Sequence, residues 1–163
     1  MRVILWILLS LIVVPVSAQQ IISVLPYRLV GGKMIVAMSV NGQERSFIFD
    51  TGGQVALTGE LCDELGIPVT DSVKTTDANG KEMSLPQVTI SSLLTPDGVI
   101  NFTGVPAMKL ASSVPFKCFG VDGFIGSNLF KNMIVEIDGK TKTILISTAE
   151  KASTISLRKM IPF

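Results

Sequence analysis

The distribution of apolar and polar residues along the chain predicts a β protein. Short apolar stretches alternate with polar turns, and three of these turns carry an Asn-Gly or Asp-Gly pair, which suits a two-residue hairpin. We therefore predict hairpins at Asn41-Gly42, Asn79-Gly80 and Asp138-Gly139. Further short strands are expected at 87–94, 98–105 and near Phe124, with Pro86 interrupting the second hairpin.

Helices are expected to be few and short. Thr58 can cap a helix in which Leu61 and Leu65 share one face, and Gly66 should end it. A second helical turn should begin at Ser127. The expected fold class is therefore all-β, a mainly antiparallel domain with one or two short helices.

The N-terminal segment has a different pattern, which is that of a secretory signal peptide. Met1-Arg2 is followed by an apolar run from Val3 to Val14 and then by small residues before a cleavage point. The run is shorter than the ~20 residues that span a bilayer, so we expect no membrane attachment of the mature form. The sequence predicts export to a bacterial periplasm or beyond the cell. The predicted parts are a signal peptide (1–18), a folded domain (19–147) and a tail (148–163) that is a linker or the start of a missing second half.

Composition narrows the chemistry that is available to this chain. With 47% hydrophobic residues among 163, the chain should form one folded domain. The formal net charge of +1 provides no basic excess, so nucleic acid is not an expected partner. The chain has no histidine, which excludes Ser-His and Cys-His nucleophile pairs and His-ligated metal. We expect no metal and no cofactor, and the catalytic groups that remain are mainly carboxylates, hydroxyls and lysines.

The chain contains a single pair of cysteines, Cys62 and Cys118. In an oxidising compartment these two residues can form a disulfide. They can equally remain as two buried thiols that pack as small hydrophobic side chains. The sequence leaves both alternatives open.

One segment combines burial with a carboxylate. Three large apolar residues at 47–49 lead directly into Asp50, which is followed by Thr51, Gly52 and Gly53. We expect this strand to be buried on both faces, so a carboxylate at its end should be hydrogen-bonded or shifted in pKa. The glycines allow backbone N–H groups to approach the carboxylate closely. A solvated turn aspartate is the simpler alternative.

A second segment, at 121–130, contains an apolar strand that ends in glycine and runs into a short helix. Together, Asp50-Thr51-Gly52 and Phe124-Ile125-Gly126 resemble the motifs of the retropepsin-like aspartic proteases, which are relatives of the pepsin lobes. The resemblance covers about 31–147, and the hairpin at Asn79-Gly80 falls where that family has its flap. The amino-acid sequence of residues 121–129 also resembles that of exported family members from Bacteroidetes-type bacteria, whose chains often contain two such halves.

The resemblance implies an acid-protease half-barrel and a role for each matching residue. Asp50 corresponds to the catalytic aspartate, and Thr51 to the residue whose hydroxyl clamps two such loops together. Gly52 corresponds to the glycine whose amide supports the carboxylates, and Gly126 to the glycine of the strand behind the loop. Gly53 departs from the family, which usually has Ala or Ser there, so no serine hydroxyl reaches the carboxylate and the loop is more flexible.

The implied activity is that of an aspartic endopeptidase acting on a peptide or protein substrate. Its mechanism needs two carboxylates that share one proton. The chain has one Asp-Thr-Gly, and Asp122-Gly123 is not a second copy because it precedes its apolar strand. We therefore expect the second aspartate to come from an identical chain in a homodimer or from a missing second half. Apolar surface left exposed by the half-barrel would form the interface. Its expected residues are Phe47, Phe49, Phe124 and Phe130.

Two other functions are compatible with parts of this pattern. A non-catalytic domain with the same fold could bind a peptide or a partner chain, and Asp50 would then be idle. A carbohydrate-binding or envelope structural β domain would leave the pairing of the two motifs unexplained. The remaining acids should be structural, with Asp97 in a turn and three others on the exposed face of the first helix. Those three are Glu60, Asp63 and Glu64.

Overall fold

A computed structural model describes residues 21–76, 80, 82–111 and 114–148. The predicted signal peptide lies outside the described residues, as does the tail from residue 149 onwards. The tip of the second hairpin, at 77–79 and 81, also lies outside them. The predicted boundaries of the signal peptide, domain and tail therefore stay predictions.

The described residues form ten strands in one sheet, so the all-β prediction is confirmed. In chain order the elements are β1 (Ile21–Val30), β2 (Lys33–Val40), β3 (Gln43–Asp50), β4 (Ala56–Thr58), α1 (Gly59–Glu64), β5 (Val69–Thr76), β6 (Glu82–Leu94), β7 (Asn101–Leu110), α2 (Val114–Phe119), β8 (Gly123–Gly126), a 3-10 helix (Ser127–Phe130), β9 (Met133–Asp138) and β10 (Thr143–Thr148). The sheet order is β5-β6-β7-β4-β8-β3-β2-β1-β10-β9, and an additional pairing of β6 with β2 curls the sheet back on itself. Most pairs are antiparallel, whereas β3 with β8 and β4 with β7 are parallel.

All three predicted hairpins have the expected position, since β9 and β10 also pair antiparallel around residues 139–142. Asn41 and Gly42 have φ values of 48° and 89°, and they join β2 to β3 as a two-residue turn of the predicted kind. Strands β5 and β6 pair antiparallel as far as Thr76 and Glu82, so the hairpin predicted as a flap is present up to its tip.

The turn predicted at Asp138-Gly139 is wrong in type. Asp138 pairs with Thr143, so residues 139–142 form a longer loop, and the positive φ occurs at Lys142. The cause is the Asp138 side chain, whose Oδ1 accepts a hydrogen bond from the Lys140 N–H at 2.8 Å. This bond stabilises a wider turn than the Asp-Gly pair alone indicates.

The strand interruption predicted at Pro86 is also wrong. Strand β6 runs without a break from Glu82 to Leu94, and Pro86 pairs with Ser72 of β5. The register with β7 begins only at Gln87, so no ladder bond on that side needs the N–H that Pro86 lacks. The strand expected at 98–105 instead spans Asn101–Leu110.

The helical predictions hold. The Thr58 hydroxyl accepts a hydrogen bond from the Leu61 N–H at 3.3 Å at the start of α1, and Gly66 has a φ of 61° just after its end. The 3-10 helix begins at Ser127 as expected. No helix among the described residues is long and apolar enough to cross a membrane.

Strand β3 is buried on both faces at residues 47–49, as its sequence predicts. Phe47 and Phe49 belong to the main core, whereas Ile48 faces a second apolar cluster that contains Phe116 and Val121. Alternate side chains of a strand point to opposite faces, so Asp50 is directed to the same side as Ile48. The carboxylate thus emerges beside the smaller cluster rather than the main core.

The expectation of an exposed phenylalanine patch is wrong. Phe47, Phe49 and Phe130 are buried, and Phe124 is half-buried against Phe116 with ring centroids 5.3 Å apart. The cover comes from distant elements, since Phe102 of β7 packs edge-on against Phe130 at 5.8 Å. A dimer interface cannot be inferred from these residues.

Candidate active site

The turn after β3 holds the Asp50 carboxylate with backbone N–H groups. Asp50 is exposed at the end of the strand, and its Oδ1 accepts a hydrogen bond from the Gly52 N–H at 3.0 Å. The Gly53 N–H donates to the Asp50 carbonyl oxygen at 3.3 Å, which closes the turn. A buried strand therefore delivers an exposed carboxylate whose orientation is fixed by the loop itself.

Gly53 leaves the space that the second carboxylate oxygen occupies. A Cβ atom at this position would lie 2.8 Å from Asp50 Oδ2 and 3.1 Å from its Cγ. Because both distances are shorter than ordinary contacts, an alanine or serine here would turn the carboxylate away from its present orientation. The departure at Gly53 thus has a steric effect on the carboxylate, whereas its expected effect on flexibility stays a prediction.

The structure brings the two sequence motifs into direct contact. Strands β3 and β8 pair in parallel, with Asp50 opposite Gly126. A Cβ atom at Gly126 would lie 2.4 Å from the Gly53 carbonyl oxygen and 2.4 Å from the Gln54 carbonyl carbon. The loop that carries Asp50 therefore rests on the backbone of Gly126, and a side chain at this position would displace it.

Asn128 is a residue of the site to which the sequence pattern assigned no role. Its Oδ1 accepts a hydrogen bond from the Val55 N–H at 3.0 Å, which ties the far end of the Asp50 loop to the 3-10 helix. The only signal in the sequence is an amide side chain two residues after Gly126. Such a position acquires meaning only when the register of β3 with β8 is known.

Gly123 is a second residue whose role the sequence did not indicate. It has a φ of 154°, and a Cβ atom there would lie 2.0 Å from the Ala56 carbonyl oxygen. Strand β8 is flanked closely by β4 on one side and by β3 on the other, so glycine is required at this end of the strand as well.

Thr51 and Asp122 differ in the hydrogen bonds that they form within the chain. The Thr51 side chain is exposed, and its hydroxyl makes no hydrogen bond to any residue that the structure describes. The backbone of Asp122 is fully engaged, since its N–H donates to Ser46 and its carbonyl accepts from Thr58, both at 2.8 Å. Asp122 thus links two strands and does not form a second Asp-Thr-Gly loop.

The disulfide alternative is not realised, since both cysteines are free thiols. Cys62 lies in the main core on α1, whereas Cys118 is exposed on α2. The alternative of two buried thiols is also wrong for Cys118. Burial raises the pKa of the Cys62 thiol, so its reactivity is suppressed.

The remaining acids have structural contacts, in line with the sequence prediction. Asp97 accepts hydrogen bonds from the Ser23 hydroxyl at 2.8 Å and the Thr95 hydroxyl at 2.6 Å, and from the N–H groups of Val24 and Val99. Burial alone would raise the pKa of Asp97, but these four hydrogen bonds outweigh it and lower the pKa to about 2. Asp97 therefore fastens β1 to the turn before β7.

The acids of α1 lie on its exposed face, as predicted. Asp63 forms an ion pair with Lys109 at 2.6 Å, and Glu64 forms one with Arg45. No group of three or more His, Cys, Asp or Glu side chains in the described part of the chain is arranged to hold a metal ion.

A sequence model of the aspartyl protease family matches residues 36–129, which is more than half of the chain and includes both motifs. The chain belongs to the aspartyl protease family. Among solved structures, 21 chains match. One is the crystal structure of a retropepsin-like aspartic protease from Rickettsia conorii, with a TM-score of 0.52 and 19% sequence identity, covering 77% of this chain and 92% of that chain. At this identity the likeness shows a shared fold, so this aspartyl protease has a retropepsin-like architecture. A comparison with curated proteins gave no significant match.

Proposed function

We propose that this aspartyl protease is an endopeptidase whose active site is formed by Asp50 of two identical chains. The observation that carries the proposal is the exposed Asp50 carboxylate, held by the Gly52 N–H at 3.0 Å at the end of a buried strand. Asp50 is the only carboxylate in an Asp-Thr-Gly turn of this chain. A second copy related by a two-fold axis would supply the other one.

Two such carboxylates would divide the chemistry of peptide hydrolysis between them. Held about 3 Å apart they cannot both be ionised, so they share one proton. The ionised carboxylate takes a proton from a water molecule as that water attacks the peptide carbonyl carbon. The protonated carboxylate donates its proton to the carbonyl oxygen, and the roles reverse when the C–N bond breaks and the amine leaves.

The neighbours of Asp50 would position these groups. Gly52 orients one carboxylate oxygen, and Gly126 supports the loop from behind. The Thr51 hydroxyl, exposed and without a partner in the described chain, would hydrogen-bond to the corresponding loop of the second copy. This contact would clamp the two turns together and fix the separation of the carboxylates.

The activity test compares two Asp→Asn variants that are matched in local geometry. Asp50 Oδ1 accepts from the N–H two residues later at 3.0 Å, and Asp138 Oδ1 does the same at 2.8 Å. We expect Asp50→Asn to abolish cleavage of an unfolded protein at mildly acidic pH, because an amide cannot take a proton from water. Asp138→Asn should cleave like the wild type. Wild-type cleavage by Asp50→Asn would show that the assignment is wrong.

The pH profile provides a second test of the same mechanism. A carboxylate pair is competent with one proton, so the rate should be highest at acidic to mildly acidic pH and should fall as the pair loses that proton. A rate that keeps rising between pH 8 and 10 would indicate a different nucleophile.

Peptide binding without hydrolysis is the second candidate function. The observation in its favour is Gly53, which cannot supply a serine hydroxyl to the carboxylate and gives the loop backbone more conformational freedom than alanine or serine would. If this function is correct, the wild type and Asp50→Asn bind peptides equally and neither cleaves them. If endopeptidase activity is correct, only Asp50→Asn lacks cleavage.

We also propose that residues 1–18 direct export and are removed, which would place the mature protein in the periplasm or outside the cell. The support is the pattern of a basic start, an apolar run and small residues. N-terminal sequencing of the protein from cell fractions should give a chain that begins at Gln19. An unprocessed chain in the cytoplasmic fraction would contradict this proposal.

A further inference from the structure

The end of the sheet that carries Asp50 also carries the turn between β1 and β2. Strands β2 and β3 pair antiparallel, so the start of β2 lies beside the end of β3, where Asp50 is located. Strand β1 pairs with β2 as far as Val30 opposite Lys33, the first residue of β2. The Gly31-Gly32 turn that joins these strands is therefore at the same end of the sheet as the Asp50 turn.

Leu29 is an apolar side chain that this end of the sheet leaves uncovered. It is 54% exposed, whereas Leu25 and Tyr27 on the same face of β1 are buried in the main core. Its cross-strand neighbour Met34 is only half-buried against that core. The main core is thus open at Leu29, at the end of the sheet that presents Asp50.

Two turns at this end have few side chains that would keep a second molecule away. One is the exposed Gly31-Gly32 turn, and the other contains Gly52 and Gly53 directly after Thr51. Two catalytic carboxylates must lie about 3 Å apart, so the backbones that carry them must approach each other closely. Glycine allows such an approach. Lys33 follows the first turn, and its flexible side chain can keep the ammonium group in solvent.

The β1–β2 turn is held in place from inside the molecule. Gly31 has a φ of 54°, and a Cβ atom there would lie 2.9 Å from Cε1 of the Phe119 ring on α2. Phe119 packs against the second apolar cluster, to which Ile48 of β3 belongs. Because the turn is already fixed, a partner that contacts it loses little binding free energy to ordering the loop.

We propose that Leu29 and the Gly31-Gly32 turn form the contact by which a second copy of this chain docks beside Asp50. The occupant is a second copy because the site at this end has one carboxylate and needs another, which an identical chain supplies. A two-fold axis at this end would place each Leu29 against the other copy and cover the opening in both cores. The inference rests on the proposed function, since only an active site shared by two chains requires this contact.

The test compares Leu29→Asp with Val99→Asp, which introduce the same charge at two exposed aliphatic residues. Val99 is 58% exposed in the turn between β6 and β7. That turn lies at the far end of β2, because Leu94 at the end of β6 pairs with Ser39. Both side chains are exposed, so both variants should keep the wild-type fold by circular dichroism.

Sedimentation velocity over a dilution series measures the dissociation constant of the dimer, and cleavage of an unfolded protein is measured at the same concentrations. About half of each Leu29 side chain remains to be buried, and a dimer buries two of them. Leu29→Ala should therefore raise the dissociation constant by about tenfold to a hundredfold. Leu29→Asp should raise it further, because the charge loses hydration at the contact. Val99→Asp should change it by no more than about twofold.

The outcomes separate this inference from the proposed function. The concentration at which half of the cleavage activity is lost should shift by the same factor as the dissociation constant, which a folding defect would not produce. A wild type that stays monomeric, or a Leu29→Asp dimer as stable as the Val99→Asp dimer, would overturn the interface. In the second case, cleavage by the wild-type dimer would leave the catalytic proposal intact. Dissociation of the Leu29→Asp dimer together with an inactive wild-type dimer would refute the catalytic proposal alone.

Discussion

Replacing Gly126 by alanine should disturb both the stability of the fold and the Asp50 loop. The added Cβ would lie 2.4 Å from the Gly53 carbonyl oxygen and the Gln54 carbonyl carbon, and 2.5 Å from the Gln54 Cα. Ordinary contacts of a Cβ atom begin near 3.4 Å, so these atoms must retreat by about 1 Å. All three belong to backbone, which cannot rotate away as the end of a side chain can.

The loss in the free energy of unfolding can be estimated from substitutions that overpack a protein core. Inserting a methylene into a well-packed region costs about 1–3 kcal/mol, and the backbone clash favours the upper half of that range. We therefore expect Gly126→Ala to lower the free energy of unfolding by about 2–3 kcal/mol. Because the displaced atoms belong to Gly53 and Gln54, three and four residues after Asp50 in the same loop, cleavage should fall even at temperatures where the variant is fully folded.

Urea unfolding followed by circular dichroism measures the loss, and Gly139→Ala is the matched control. A Cβ at Gly139 meets no atom within 4 Å, and the residue does not have a positive φ, so its change in stability should stay within about 0.5 kcal/mol. If Gly126→Ala is as stable and as active as Gly139→Ala, the packing of the loop against β8 is not as described.

Two further predictions concern Asp97 and the cysteines. The folded-state pKa of Asp97 is about 2, below the ordinary value of ~3.9, so its contribution is complete above pH 4–5 and is lost as the pH falls towards 2. Because Asp97 is exposed, we discount its contribution for solvent screening to about 1 kcal/mol. Urea unfolding should show Asp97→Asn less stable than the wild type by that amount at pH 6 and by only a small part of it near pH 2, and a difference that is constant with pH would contradict this role. In thiol labelling of the folded protein, Cys118 should react rapidly and Cys62 only after unfolding, and equal rates would show that Cys62 is not in the core.

Features set by local chemistry were predictable from the sequence. The positive φ values at Asn41-Gly42 follow from the tolerance of these residues for that conformation. The helix cap at Thr58 depends on a hydroxyl that accepts a hydrogen bond from the N–H three residues later. The burial of β3 follows from three consecutive apolar residues before Asp50. In each case the determining atoms lie within a few residues of one another.

Features set by distant contacts were not predictable in the same way. Strand β1 gains its pairing from β2 and β10, and its own sequence has no regular alternation through Pro26. Helix α2 is six residues long, so its apolar residues Phe116 and Phe119 provide too short a pattern to identify it. The burial of Phe130 depends on Phe102, which lies in another strand.

The residues of the candidate site also fall into two groups, those that the local sequence indicates and those that depend on distant contacts. Asp50, Thr51, Gly52 and Gly53 are consecutive, and Gly126 follows a recognisable apolar pair, so these residues stood out in the sequence. Their proximity and the anchoring role of Asn128 require the parallel register of β3 with β8. That register joins segments separated by more than seventy residues, and no local pattern specifies it.

The central claim is that one active site needs Asp50 from two chains, and subunit mixing tests it most directly. A fixed amount of wild-type protein is refolded together with increasing amounts of Asp50→Asn protein, and cleavage per wild-type chain is measured. The active site of a mixed dimer has only one Asp50 carboxylate. Cleavage per wild-type chain should therefore fall to about half when the two proteins are present in equal amounts, and it should approach zero when the variant is in excess. Asp138→Asn added in the same way should cause no loss. If activity per wild-type chain is unchanged by any excess of Asp50→Asn, the catalytic site is complete within one chain and the two-chain account is wrong.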